Sequence, residues 1–170
     1  MLYLIKKGNH YPTPQQISLH SGISYLNKTV TFYDNCIYHL GNTDDNDINK
    51  LYGFTTDLFG SNSVRIGWNI MSAKTGVQTI KLWAYIHING KRVVPTISSD
   101  HIISKFFKTN IPITCSISVT NGNAYFTAKQ GTEGRTVVVP FPKTPGIGYY
   151  QFPYFGGTSV CPQDMNIDIS

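Results

Sequence analysis

Alternation of apolar and polar residues with a period of two runs through most of this chain. In residues 78–88, Ile80, Leu82, Ala84, Ile86 and Ile88 fall on one side, and Thr79, Lys81, Trp83, Tyr85 and His87 on the other. Successive side chains of a strand point to opposite faces, so this is the pattern of a half-buried β-strand. Asn89-Gly90 follows, a pair that adopts positive φ at low cost, and a hairpin with a return strand over 91–97 is predicted. Residues 111–119 repeat the pattern, with Ile111, Ile113, Cys115, Ile117 and Val119 expected to face inward. Asn121-Gly122 then predicts a second hairpin returning over 124–128. Residues 63–70 set Val64, Ile66 and Trp68 against Ser63, Arg65 and Gly67. Further strands are expected at 2–5, 28–33, 36–40, 101–107, 135–141, 149–155 and 165–169, with 17–26 irregular or short-stranded. Pro12 and Pro14 force a loop near 10–16. The acidic stretch 42–49 predicts one short helical turn running toward Leu51.

Ten or more short strands joined by short turns predict an all-β fold, an antiparallel β-sandwich of jelly-roll type with little or no helix. It is expected to be a single domain over residues 1–170. Composition strengthens this reading. The chain holds 19 Ile, 10 Val and 17 Thr against 8 Leu, 4 Ala and the lone Glu133, so residues that suit strands outnumber good helix formers. Hydrophobic residues make up 41% of the chain, enough to build a core, which argues against disorder. A helical bundle and a doubly wound α/β enzyme are improbable on the same grounds.

Charge changes the picture in two ways. Only 14% of residues are charged, a low share that suits a surface packed against something else. The net charge is +5, but the basic residues are scattered and no run exceeds two, so nucleic acid is not an expected partner. Cys36, Cys115 and Cys161 form no C-x-x-C pair and are odd in number, so neither a disulfide framework nor a zinc site is expected. The N-terminal charge follows a short apolar run where a signal peptide has it before, and no apolar stretch is long enough to span a membrane.

The candidate site is the polar face of 78–88. If Ile80 to Ile88 face the core, Trp83, Tyr85 and His87 form an outward row, and Arg65 joins them if the two strands share a sheet. Exposed aromatics beside an arginine suit sugar stacking or a protein contact, unless a loop covers them. The same Arg, Tyr and His resemble the equipment of a β-elimination lyase, with the arginine on a uronate carboxylate and the Tyr or His moving the proton. That strand pairing is an assumption here, and no catalytic residue is assigned. Asp45, Asp47 and Asn49 have the i, i+2, i+4 spacing of a calcium loop. The positions requiring Gly and Glu hold Lys50 and Thr56, so the EF-hand pattern fails and only a different calcium loop stays open. The five histidines lack ligand spacing, and no nucleophile elbow or phosphate loop is present. No metal or cofactor is expected.

Three segments carry a resemblance: Ile5-Lys6-Lys7-Gly8-Asn9-His10-Tyr11; Asn49-Lys50-Leu51-Tyr52-Gly53-Phe54 with Asn62-Ser63-Val64-Arg65-Ile66-Gly67-Trp68; and Pro153-Tyr154-Phe155-Gly156-Gly157 running on through Cys161-Pro162-Gln163-Asp164-Met165. Together they resemble a family of small, uncharacterised β-sandwich proteins of gut Bacteroidetes and their tailed phages. The resemblance implies a His pair near Phe59 and Gly60 and a His at Gln163, which this chain lacks. It therefore implies a scaffold more than an enzyme. The expectation is a non-enzymatic virion component, a capsid-decorating or head-fibre protein assembled in the host cytoplasm. Its expected partners are other virion proteins or copies of itself, with a surface glycan as the alternative and no membrane.

Overall fold

A computed structural model describes residues 1–15, 17–72, 77–94 and 98–170. The strands are β1 (Leu2–Ile5), β2 (Pro12–Thr13), β3 (Leu19–Ser21), β4 (Tyr25–Phe32), β5 (Asn49–Thr55), β6 (Ser63–Ser72) and β7 (Gln78–Ile88), followed by β8 (Lys91–Arg92), β9 (Ile102–Phe107), β10 (Ile113–Thr120), β11 (Asn123–Gln130), β12 (Glu133–Pro140), β13 (Ile147–Gln151) and β14 (Met165–Ile169). They build an all-β antiparallel sandwich. One sheet has the order β12-β11-β10-β4-β14-β1-β2. The other has the order β3-β13-β5-β6-β7-β8, with β9 also paired to β7. Three short 3-10 turns complete the secondary structure of the described residues.

The alternation seen in the sequence decides which side of each sheet is buried. Val64, Ile66 and Trp68 of β6 and Ile80, Leu82 and Ile86 of β7 pack onto Val30, Phe32, Ile113, Cys115, Ile117, Phe126 and Ile167 of the opposing sheet. Tilted and edge-on rings extend this core, with Trp68 against Phe32 at 5.0 Å and against Tyr38 at 5.9 Å. Burial of this apolar surface is the main driving force for closing the sandwich. Both Asn-Gly hairpins form as expected, with φ of 53° at Asn89 and 50° at Asn121.

Several expectations are corrected. Residues 36–40 do not form a strand. A 3-10 turn at Asp34–Cys36 leads into an irregular segment that crosses the end of the sandwich, where the Cys36 thiol donates to the Asn166 carbonyl and Tyr38 drops into the core. Ile111 precedes β10 and is exposed. The strand expected at 149–155 stops at Gln151, because Pro153 has no N–H to give; a single bridge between Lys50 and Tyr154 continues the pairing. The return strand after Asn89-Gly90 is regular only over Lys91–Arg92, although the Val93 amide still donates to the Ile86 carbonyl; 95–97 lie outside the described residues, as does Gln16 in the expected loop. The helical turn at 42–49 forms over Thr43–Asn46, but Asn49 already begins β5, a central strand that the alternation did not reveal.

Candidate functional site

The outer face of the second sheet is organised in levels, because paired residues of neighbouring antiparallel strands project to the same side. At one level Gln151 of β13 pairs with Gly53 of β5, Gly53 with Arg65 of β6, and Arg65 with Tyr85 of β7. At the next level Thr55 pairs with Ser63, Ser63 with His87, and His87 with Arg92. On the other side Tyr154 bridges to Lys50, Lys50 pairs with Gly67, and Gly67 with Trp83. Arg65, Tyr85 and His87 therefore do share a sheet and stand next to one another.

Glycines shape this face. A β-carbon at Gly53 would collide with the Val64 carbonyl and lie 2.7 Å from Arg65 Cα and 2.9 Å from Arg65 Cγ. Gly53 thus lets the Arg65 side chain lie down across β5 toward Gln151. At Gly67 the vacant position is taken by the Ile48 side chain, which packs with Trp83, Tyr85 and Ile102 in a small second cluster. Ile48 and Ile102 cover the row that the sequence left open to solvent: Trp83 is 9% and Tyr85 8% exposed. The exposed aromatic platform is thereby corrected. Trp83 is a structural wall, its indole N–H donating to Asn69 at 2.9 Å and its ring carrying the Lys81 ammonium at 4.0 Å.

What remains open is a groove of about 320 Å³ lined by Tyr11, Lys50, Arg65, Tyr149, Tyr150, Gln151, Phe152 and Tyr154. Of the four residues expected to form the site, Arg65 alone lines it. Lys50 is half-buried, its ammonium 5.3 Å from the ring centres of both Tyr85 and Tyr154. Arg92 lies over the far side of the cluster, 4.9 Å from the Tyr85 ring. His10 stacks on Tyr154 at 5.3 Å and donates from Nδ1 to the Phe155 carbonyl at 2.8 Å; Tyr11 meets Tyr154 edge-on. A second cavity of about 310 Å³ opens between the sheets on the other side of the Tyr150–Pro153 segment, lined by Tyr3, Leu26, Tyr52 and Ile169 among others. It is apolar and presents one lysine, Lys28.

The electrostatics of the groove are one-sided. Burial, then the neighbouring Arg65 and Arg92 charges, pull the Lys50 ammonium down to about 8. Burial pulls the Arg65 guanidinium to about 10, so it stays charged at neutral pH. Burial, with Arg65, Lys50 and Arg92 behind it, lowers the His87 imidazole below its usual value, and its Nδ1 is 3.4 Å from Ser63 Oγ. Among the described residues the ion pairs within 4 Å lie elsewhere, between the Met1 ammonium and Asp168 and between His39 and Asp45. Arg65 makes one long hydrogen bond, from a terminal nitrogen to the Phe152 carbonyl at 3.4 Å. Its Nε and the Gln151 Oε1 are buried without a partner among the described residues.

The acidic turn behaves differently. Asp44 accepts hydrogen bonds from Thr158 Oγ1 and from the Ser159 amide and hydroxyl, and Asp45 from the Leu40 and Gly41 amides. Asn49 points inward, donating to the Tyr38 hydroxyl at 2.8 Å and accepting from the Gly156 amide at 2.7 Å. Asp44 and Asn49 clamp the 156–159 loop onto the sandwich, and Asp45 holds residues 39–41. Among the described residues no three His, Cys, Asp or Glu side chains gather as a metal site.

No protein-family model matches the chain, and no curated protein matches it in sequence. Solved structures share its fold. A functionally unknown protein from Saccharomyces cerevisiae superposes with a TM-score of 0.52 at 12% identity, over 91% of this chain and 69% of that one. A mutant of the GH43 protein BlXynB from Bacillus licheniformis aligns with a TM-score of 0.48 at 8% identity, over 96% of this chain and 28% of that one. At these identities the likeness is one of fold alone, and the second is too distant to carry an argument. The resemblance to a family of Bacteroidetes and phage proteins gains support only as far as the all-β, sandwich-like fold, which the first of these structures shares. No helix of the described residues is long and apolar enough to cross a membrane.

Proposed function

We propose that this chain is a non-catalytic interaction module that binds carbohydrate in the groove on the outer face of its second sheet. The observation that carries this reading is the groove itself. It is a concave site near the lower end of ligand-pocket size, roughly 300–1,000 Å³, walled by four tyrosines and holding polar groups with unused hydrogen-bonding capacity. The elimination chemistry weighed from the sequence is disfavoured by position. Tyr85 lies under Lys50 and Arg92, and neither it nor His87 lines the groove, so these two are not placed to transfer a proton to a sugar bound there. The test is a glycan array probed with the purified chain, repeated with Arg65→Gln. Binding that Arg65→Gln abolishes supports the reading, and an array without a single positive glycan removes it.

A second reading concerns where such a module works. As a virion component, the expectation attached to the family resemblance, it would dock on other virion proteins or on copies of itself. One observation favours a protein contact: Leu19 and Ile147, with Ile17 beside them, are 66%, 57% and 83% exposed at the β3–β13 edge of the second sheet. Light scattering over a range of concentrations checks this. A dimer or trimer that Leu19→Lys dissociates is the expected result, and a monomer at every concentration argues for a glycan-binding role without self-assembly.

A further inference from the structure

We infer that the groove is built for an acidic saccharide, with the carboxylate of a uronate seated against Arg65 and Lys50 and an adjacent hydroxyl turned to Gln151. The inference rests on the reading of this groove as a glycan site and adds the chemical class of the ligand. Its first support is charge. Two of the chain's three arginines, Arg65 and Arg92, converge with Lys50 on one sheet face, and no carboxylate comes within ion-pair distance of them among the described residues. Asp47 acts on Lys50 only from farther off. Arg92 is exposed and keeps its water, but Arg65 and Lys50 are partly withdrawn from solvent, and holding such unpaired cations out of water is unfavourable unless an anion joins them.

The second support is the pair of unpartnered groups. Arg65 Nε is a donor, Gln151 Oε1 is an acceptor, and both are buried at the groove. They flank Gly53 at one level of the sheet, with no side chain between them. A planar carboxylate matches the guanidinium fork, and a neighbouring sugar hydroxyl supplies the donor that Gln151 lacks. A bare sulfate would answer the first need and leave the second unmet. A single-stranded nucleic acid would also bring anions, but Tyr154 already carries His10 on it and the Lys50 ammonium near it, which leaves Tyr11 as the one exposed ring of the groove and no row for successive bases. Three cations at one spot also do not make the track that a nucleic-acid backbone follows.

The test is isothermal titration calorimetry of the full chain at low ionic strength, where screening is weak. The probes are trigalacturonate, a neutral trisaccharide and an oligothymidylate of comparable charge. We expect trigalacturonate to bind at least about tenfold more tightly than the neutral sugar, and Arg65→Gln or Lys50→Gln each to weaken it by about tenfold, the share of one charge-assisted hydrogen bond. Lys129→Gln, an exposed lysine on the other sheet, should leave the affinity unchanged. The thermal midpoint of each variant is measured alongside; if Arg65→Gln does not fold, Lys50→Gln decides. Equal or tighter binding of the neutral sugar, insensitive to both substitutions, overturns the acidic class while the glycan site stands. Binding of the oligothymidylate alone overturns both, and so does the failure of every saccharide.

Discussion

Replacing Gly53 by alanine is the sharpest test of how the groove is held. Gly53 sits in the centre of the second sheet, between Gln151 and Arg65, where a glycine weakens a strand unless another group needs the space. The added methyl would meet the Val64 carbonyl and the Arg65 Cα and Cγ, and most of these are backbone atoms of a paired strand that cannot swing aside. Overpacking of this kind costs about 1–3 kcal/mol, and the lost freedom of the unfolded glycine returns about 0.4–1 kcal/mol. The net is roughly 1 kcal/mol, which for a chain of this length lowers Tm by about 2–4 °C. Circular dichroism or scanning calorimetry reads the shift directly. Trigalacturonate affinity should fall together with Tm, because the methyl lifts Arg65 off β5. An unchanged or raised Tm, the result expected if only unfolded-state entropy mattered, would refute the close approach of Arg65 and the groove floor derived from it.

Other expectations follow from the same structure. Trp83→Ala should destabilise the chain by about 3–5 kcal/mol, measured as a lower urea midpoint, because it empties a packed cluster; Trp83→Phe should leave saccharide binding unchanged, and a selective loss of binding in the Phe variant would restore Trp83 as a platform. Burial lowers the imidazoles of His20, His87 and His101 below 6.5 in the folded chain. The stability they lend is present above the unfolded value and lost as pH falls through the lowered folded values, so the urea midpoint should drop between pH 7 and pH 5. The carboxylates Asp34 and Asp44, held low mainly by hydrogen bonds from Thr109 and Ser159, titrate in a lower window; a midpoint equal at pH 7 and pH 5 would contradict the histidine account. Burial pushes the thiols of Cys36 and Cys115 up to about 12 and that of Cys161 to about 11. A thiol reagent at pH 8 should find no fast-reacting group in the folded chain and three after denaturation.

The fold was legible wherever one face of a strand is dry and the other wet. β10 is read almost residue by residue from that contrast, and β7 from the regular alternation of its aliphatic residues with polar and aromatic ones, although Trp83 and Tyr85 on its second face are covered. β5 was not, for a physical reason: Leu51, Tyr52, Phe54 and Thr55 are all buried, so both of its faces are covered and the period of two vanishes, while Gly53 looks like a breaker. With β5 hidden, Lys50 was hidden as well. The signal that would have found it is a lone lysine inside an apolar, aromatic run, which on a covered strand has to point at something. Arg65 was found because β6 alternates cleanly. For Trp83 the alternation left both a covered and an exposed row open, because it says which way a side chain points and not what lies on top of it; the cover comes from Ile48 and Ile102, distant in sequence. Gln151 ends β13 and Tyr154 lies just past the proline that stops the ladder, and no local pattern marks them as parts of a groove.

The strand order of the first sheet sets a rule for how the polypeptide must be made. β14 lies between β4 and β1, so the last strand in the sequence is an interior strand of the sheet. A ribosome that has delivered everything up to residue 164 has produced β1 and β2 with no neighbour on the side facing β4. The hairpin β10–β11 and its partner β12 can associate early, since they are close in sequence. The sandwich closes only when Met165–Ile169 clears the exit tunnel and slides into the gap. Until then the open edges of β4 and β1 can pair with a second nascent chain, so removing Met165–Ile169 should raise the aggregated fraction.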